Sequence, residues 1–466
     1  MLRLLLILAL LPGILLKAQV PFFETYFGSP RPDYARSLKQ SADSSIYIAG
    51  YSIDTIAGHS DVALSKLSPA GQLAWTKYYS DSLDNNCLFL QDAGDGSFFL
   101  CGETQTAANA LDGFLMKVDT AGNVLWRKLY GGPQNESINR VVVLADGKLA
   151  MTGFQTDAGG SNGIYVLVTD SAGNEMWSGN YGGQNNDAGR AVCALPDSGF
   201  VVFAETAVRS AVNIALEGMR FDKSGIVLWD SIYDYGDTLP EGCQGMMLLS
   251  NGNLFVYGES QPTATTWFDF LFHELDVNGN TIWSRKTGGP LPDAAFSMLE
   301  TPGGFIGTGY SRSYSPGPND IIVFGTDTVG TITWAQPYGG PGIDIGYEII
   351  PAAAGGYYIT ATGNVNGNDQ FGLLHIDSAG STGIAGSQQD GDVRFFPNPA
   401  SDQLTITTGA PGNYTVQVFS AGGQEISCTQ KNGPLFGLDV SGLPAGMFFV
   451  KISGENFSRT EKLVIR

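Results

Sequence analysis

One cassette recurs along this sequence at nearly constant spacing, and any fold must accommodate it. It is clearest at Asp119-Thr-Ala-Gly-Asn-Val-Leu-Trp126, followed by Arg-Lys-Leu-Tyr130-Gly-Gly. Copies stand at Asp170 with Trp177 and Tyr181-Gly-Gly, at Asp222 with Trp229, at Asp276 with Trp283, and at Asp327 with Trp334 and Tyr338-Gly-Gly. An earlier copy reads Ser68-Pro-Ala-Gly-Gln with Trp75. Successive tryptophans of the cassette are 51, 51, 52, 54 and 51 residues apart. Such a period marks supersecondary units that stack on one another, because one unit alone cannot cover its apolar faces.

Each unit holds four strand signals. In the second, Cys87-Leu-Phe-Leu meets the turn Ala93-Gly-Asp-Gly, and Ser97-Phe-Phe-Leu-Cys follows. Asp112-Gly-Phe-Leu-Met-Lys-Val then runs into the Asp119 turn, and Val124-Leu-Trp-Arg-Lys-Leu ends the unit. Asp bonds its own turn backbone, and Gly supplies the positive φ that such turns need. Short strands with tight turns form antiparallel meanders. Val141-Val-Val-Leu and Met246-Met-Leu-Leu are apolar on both faces, so both must be covered. These features describe the blades of an all-β propeller.

Units begin near Asp33, Asp84, Glu136, Asp187, Glu241, Asp293 and Asp344, which predicts a seven-bladed β-propeller over residues 19–384. The last unit lacks a Trp strand. Phe23-Glu-Thr-Tyr-Phe27-Gly28 stands in its place: Phe23 precedes Trp75 by 52 residues, and Phe27 matches Tyr130, Tyr181, Tyr233 and Tyr338. The N-terminal strand is expected to close the last blade. The pattern Trp-x-x-x-Tyr-Gly-Gly, an acidic residue, an aliphatic strand and Gly resembles the bacterial SBBP-type β-propeller repeat. Asp234-Tyr-Gly-Asp and Thr287-Gly-Gly depart from it. The resemblance implies a propeller and no particular activity.

Residues 1–18 read as a secretory signal peptide: Arg3, an apolar run Leu4–Leu16 too short to span a bilayer, then cleavage near Ala18. No other stretch is long and apolar enough for an integral membrane segment. The chain's net charge is −20. Arg3 and Lys17 belong to the signal, and residues 391–466 are neutral with six charges of each sign, so residues 19–390 carry −22. That excludes nucleic acid and anionic membrane surfaces as partners.

Ser378–Gly391 is rich in Gly, Ser and Gln, with the linker proper placed at 385–391. Beyond it the alternation Tyr414-Thr-Val-Gln-Val-Phe predicts a small antiparallel sandwich over 392–466. Phe396-Pro397-Asn398-Pro399, Asp439-Val-Ser-Gly-Leu443-Pro444-Ala445-Gly446 and the terminal Lys462-Leu-Val closely resemble the type A C-terminal sorting domain of the type IX (Por) secretion system. That resemblance implies an Ig-like sandwich, engagement of the secretion machinery, and passage across an outer membrane to the cell surface or the medium.

Chemistry is harder to find. The acidic residue that opens each unit lies in a blade-to-blade loop, with Asp61, Asp112, Asp269 and Asp320 on the same face. Such a ring either holds Ca²⁺ or bonds loop amides; recurrence in every unit favours the architectural role. Arg36 and Arg190, each three residues after a ring acid, either bind an anion or pair with that ring. Trp267 and Tyr314 are out-of-pattern aromatics on adjacent loops; either they stack on a sugar or peptide, or Trp267 packs on its own blade. His59, His273 and His375 occupy unrelated positions and form no catalytic set. None of the five cysteines forms a CxxC pair; Cys87 and Cys101 either bridge a hairpin or remain free thiols. Quinoprotein propellers have an adjacent Cys pair absent here, and no arginine triad of the sialidase kind is evident. No catalytic group, metal or cofactor is assigned. The sequence reads best as a binding or adhesion propeller for a glycan or protein; a glycan hydrolase or lyase and a purely structural surface protein are the alternatives.

Overall fold

The structure, a computed structural model, describes residues 22–382 and 394–465 apart from 82, 107–109, 183–185, 211–212, 234–238, 264–266, 316–317, 341, 397, 408–411, 421–423, 434 and 455–457. The expected signal peptide, the 385–391 linker and Pro397 lie outside the described residues.

Seven four-stranded antiparallel blades follow one another along the chain. In the second, the strands are Asn85–Asp92, Ser97–Gln105, Leu111–Asp119 and Val124–Tyr130. The first strand of every blade contributes to the wall of one shared cavity, so it is the inner strand. The fourth strand is the most exposed. The reason for double-sided apolar runs is visible in the third blade, at Asn162–Thr169. Ile164, Val166 and Val168 enter a cluster shared with the fourth blade, while Tyr165 and Leu167 enter one shared with the second. A strand's period of two thus feeds two interfaces at once.

The last blade is assembled from both ends of the repeat region. Its order is Phe23–Phe27, Asn368–Ile376, Tyr357–Val365, Ile345–Pro351, with Phe23 opposite His375 and Phe27 opposite Phe371. This blade meets the first: Ala35 N–H donates to Thr362 Oγ1 at 3.0 Å and Leu38 N–H to Glu348 at 2.7 Å. Ala35, Leu38 and Ile48 share a core with Tyr358, Phe371 and Leu373.

The cassette itself is an inter-blade latch. The carboxylate of Asp119 accepts the N–H groups of Ala121 and Asn123, which fixes a turn with Gly122 at φ +74°. Trp75 of the preceding blade sits on that glycine, so closely that a Cβ there would lie 2.8 Å from the ring. Tyr79 Oη donates to Gly122 O at 2.9 Å. The arrangement repeats with Trp126 and Tyr130 on Gly173, Trp229 and Tyr233 on Gly279, and Trp334 and Tyr338 on Gly380. Phe23 makes the same approach to Gly71 of the first blade, 2.5 Å from the position of a Cβ. Since Gly380 takes part, Ser378–Ser381 belong to the last blade's turn.

The Tyr-Gly-Gly signature has a separate cause. The ring acid folds back and accepts an amide of the loop before it: Gly132 N–H to Glu136 at 3.1 Å, Gly289 N–H to Asp293 at 2.9 Å, Gly340 N–H to Asp344 at 2.8 Å. A side chain on the glycine just before would meet a carboxylate, 2.5 Å away at Gly339. One expectation is corrected here. Asn85, not Asp84, occupies the ring position of the second blade, since Asn85 pairs with Thr104 as Asp33 pairs with Ser52. Asp84 stands one residue earlier, where Asn135 and Asn186 stand; all three accept an N–H from the neighbouring blade.

Cys87 and Cys101 are free. Their register places Cys87 opposite Gly102 and Cys101 opposite Phe89, and they point into clusters on opposite faces of the sheet. Burial pushes the Cys87 thiol up to about 12, so it is unreactive.

Residues 394–465 form a sandwich of a three-stranded sheet (Arg394–Phe396, Gln403–Thr407, Leu435–Asp439) and a four-stranded one (Glu425–Asn432, Asn413–Ser420, Gly446–Ser453, Ser458–Ile465). Val416, Val418, Val450, Ile452 and Leu463 fill the space between them.

The latch can be isolated from turn strain. Gly147 (φ +83°) faces open space, while Gly173 (φ +75°) faces Trp126. Gly147→Ala is expected to cost about 1 kcal/mol, the price of the left-handed backbone alone. Gly173→Ala should cost roughly 2–4 kcal/mol, because the ring must move as well. Urea midpoints of the two variants measure the difference; equal losses would remove the latch.

Candidate functional site

All seven inner strands carry a β-bulge at the same place. Pairing with the second strand skips Arg36, Leu88, Asn139, Arg190, Gln244, Phe296 and Tyr347 in the seven blades in turn. A bulge re-aims the side chain it carries. The residue before it faces a glycine on the second strand in five blades, and the carbonyl next to the bulge explains why: a Cβ on Gly50 would lie 1.9 Å from Tyr34 O. In the other two, Ala204 and Ala361 hold that place and face Gly189 and Gly346 instead. The backbone device is uniform, and the side chains it presents are not.

Around the mouth of the channel these side chains sort into two arcs. On one, Phe296 lies 5.5 Å from Tyr347 and 5.9 Å from Tyr310, and the Arg36 guanidinium lies 4.6 Å over Tyr347. Tyr34 and Tyr51 stack at 5.0 Å beside it. On the other arc, Arg190 holds Glu205 with two contacts of 2.8 and 2.9 Å, and Cys243 N–H donates to the same carboxylate at 3.2 Å. Glu259 of the next blade shares this space; a Cβ on Gly242 would lie 3.3 Å from Glu259 Oε1 and 3.4 Å from Glu205 Oε1. Burial first, and then the charge of Glu205, pushes the Glu259 carboxyl up to about 7, against hydrogen bonds from Tyr310 and Gln244. Such a carboxyl can donate a proton or a hydrogen bond near neutrality. Behind the mouth lies a cavity of about 220 Å³ with mostly apolar walls, into which Arg36 and Arg140 both project.

Arg36 and Arg190, singled out from the sequence, are therefore equivalent bulge residues. Neither pairs with its ring acid: Arg190 turns to Glu205 and Arg36 to Tyr51 and Tyr347. Trp267 lies on the surface, 56% exposed, in the loop after Leu254–Ser260. Tyr314 is half-buried against the core shared by the fifth and sixth blades. The ring acids Glu136, Asp293 and Asp344 accept loop amides, Glu241 pairs with Lys286, and no group of three or more metal-ligating side chains occurs among the described residues. Phe296, Tyr347, Gln244 and Glu259 were not anticipated. Aligning the repeats on the ring position and reading three residues onward would have found the first three; Glu259 needs the second-strand register.

In the C-terminal module, the Asn398 carboxamide donates to Lys462 O at 2.7 Å and accepts from Val464 N–H at 2.8 Å. Asn398 thus clamps the Lys-Leu-Val segment of the final strand. Leu443 packs on the sandwich core beneath the Asp439 turn, while Pro444, Ala445 and Gly446 follow it at the surface. The family model of the secretion system C-terminal sorting domain matches residues 394–466. Residues 394–466 are a secretion system C-terminal sorting domain. The sorting domain marks a chain exported by type IX secretion to the cell surface or the extracellular space. An endo-acting ulvan lyase of Formosa agariphila is 32% identical over 75 residues, which is 16% of this chain and 14% of that protein. Similar solved structures include the extracellular domain of the putative hybrid two-component system BT4673 from B. thetaiotaomicron (TM-score 0.44, 9% identity, 96% of this chain and 58% of that one). Two others are PorZ of the Porphyromonas gingivalis type IX secretion system (0.37, 12%, 93% and 70%) and the β-propeller domain of the trilobed protease of Pyrococcus furiosus (0.43, 7%, 77% and 99%). At this level of likeness they say nothing of ligand or activity. No helix long and apolar enough to cross a membrane occurs among the described residues.

The Glu259 environment fixes a sign for pH dependence. Its folded value of about 7 exceeds the ordinary 4.5, so the folded state keeps a proton that the unfolded chain has lost between those values. Stability falls as pH rises through that window. Glu259→Gln should therefore gain about 2–3 kcal/mol over the native chain at pH 8 relative to pH 4. Chemical denaturation at the two pH values checks it; a gain that is the same at both would contradict the assignment.

Proposed function

We propose that this chain is an exported, closed seven-bladed β-propeller that binds a glycan or protein across its channel mouth. Residues 1–18 serve as the signal peptide and 19–384 as the propeller, with its N-terminal strand completing the ring. Residues 385–391 are the linker and 392–466 the sorting module that engages the secretion machinery. The observation that carries the reading is the row of seven bulges. One backbone geometry carries Arg, Leu, Asn, Arg, Gln, Phe and Tyr at the same step of the seven inner strands, and Arg36, Phe296 and Tyr347 line the central cavity. A purely structural ring needs no such variety, whereas an asymmetric ligand is read by it. Trp267 stands exposed as an additional stacking surface.

A second reading, hydrolysis or lysis of a glycan, is favoured by the Glu205–Glu259 pair, in which one carboxyl has been pushed up to about 7. Turnover of a polymer that disappears in Glu259→Gln would select it.

A glycan and peptide binding screen on the full chain tests the primary reading. Gln244→Ala and Trp267→Ala should each weaken the ligand about tenfold, or about 1.4 kcal/mol. Unchanged affinity in both would refute the mouth as the binding face. Deletion of 392–466 should leave protein held inside the outer membrane; its normal appearance outside, by cell fractionation, would overturn the sorting role.

A further inference from the structure

The cavity behind the mouth carries charge that runs against its surroundings. Residues 19–390 are strongly acidic, yet the side chains projecting into this space are Arg36 and Arg140. Arg36 donates from Nη2 to Tyr51 Oη at 3.1 Å, and its planar face lies 4.6 Å over Tyr347 and 5.4 Å over Tyr51. Its Nε–H is buried and has no hydrogen-bond partner. Arg140 lies 4.5 Å over Phe89 and donates to Gln244 O at 3.2 Å. Among the described residues, neither guanidinium forms an ion pair. The wall does contain a carboxylate, Glu348, but it already accepts from Ser37, Leu38 N–H and Lys39.

Two largely desolvated cations sharing one cavity with no free counter-ion are costly unless something else supplies the negative charge. The remaining wall is largely apolar, with Val141, Val192, Met246, Met298 and Ile349. Aromatic rings cover the faces of the Arg36 guanidinium, so its edge is what remains for a ligand. That edge is the one suited to an oxygen pair.

We infer that the channel is a binding site for a small organic anion, whose carboxylate docks on the edge of Arg36 and whose apolar or aromatic body fills the cavity. Arg140 supplies a second positive charge deeper in the same space. A cavity of about 150 Å³ accepts a benzene ring, so about 220 Å³ has room for a ring with a short acidic arm. The inference rests on the reading of this face as the binding face, and it names the chemistry that the face selects.

The test uses the full chain, titrated calorimetrically with phenylacetate, its neutral isostere phenylacetamide, and inorganic sulfate. Phenylacetate should bind at least about tenfold more tightly than either, since a hydrogen-bonded charge separates it from the amide and apolar burial separates it from sulfate. Arg36→Gln should abolish the preference for the acid over the amide. Equal binding of acid and amide, sulfate binding as tightly as phenylacetate, or no phenylacetate binding at millimolar concentration would each overturn the inference. If Arg36→Gln does not fold, the three titrations of the native chain still decide. A glycan or peptide ligand that binds Arg36→Gln as well as the native chain, together with phenylacetate failing as above, would remove the anion site and leave the mouth as the binding face.

Discussion

The contact on which the rest of the molecule depends is an aromatic ring lying on a glycine of the next blade. Each Trp or Phe of an outer strand needs a flat, uncluttered turn to rest on, and a left-handed glycine is what leaves that space. The Asp that begins the turn holds it open by accepting two backbone amides, and the Tyr four residues after the Trp ties down the glycine's carbonyl in most blades. Four residues spread over two blades therefore form one joint. That is why the cassette is strict in sequence while the loop after the second strand varies in length. Phe23 makes the joint without a hydroxyl-bearing partner, since Phe27 stands where five other blades have Tyr and one has Thr287.

A second layer of constraint sits around the axis. In four blades the ring acid, Asp33, Glu136, Asp293 or Asp344, bonds a loop amide and thereby fixes where the inner strand starts. The bulge three residues later follows in all seven blades, and the glycine opposite makes room for it. Once those positions are committed to backbone geometry, little remains free except the bulge side chains and their neighbours. What is left over is a cation–aromatic arc, a carboxylate arc and a cavity behind them.

Much of the architecture was legible in the sequence, because Trp spacing and turn chemistry are local and repeat. The N-terminal strand was placed in the last blade from the 52-residue offset of Phe23, and its partner His375 is in that blade. Asp84 was misplaced by one residue because an Asn, which looks unlike the other ring acids, fills the equivalent position. Cys87 and Cys101 looked apposed because they flank one hairpin turn, but the register sets Cys87 opposite Gly102 and sends the two side chains to opposite faces of the sheet. The site was less legible. Arg36 and Arg190 were noticed for their charge, but their partners come from other strands and blades, and sequence spacing carries no information about those. Phe296 and Tyr347 drew no notice in the sequence, because the bulge that takes them out of strand pairing is visible only in the structure.

The pairing beside each bulge has a consequence for how such a chain can change. Five blades place glycine on the second strand, and two place alanine there with glycine on the inner strand. The two solutions are fixed by different neighbours. A Cβ on Gly50 would strike Tyr34 O on the inner strand of its own blade, whereas one on Gly189 or Gly346 would strike the hydroxyl of Thr152 or Thr308 in the preceding blade. A blade with the inner-strand glycine is therefore tied to the threonine beside it, and its choice cannot change unless the neighbouring blade changes too.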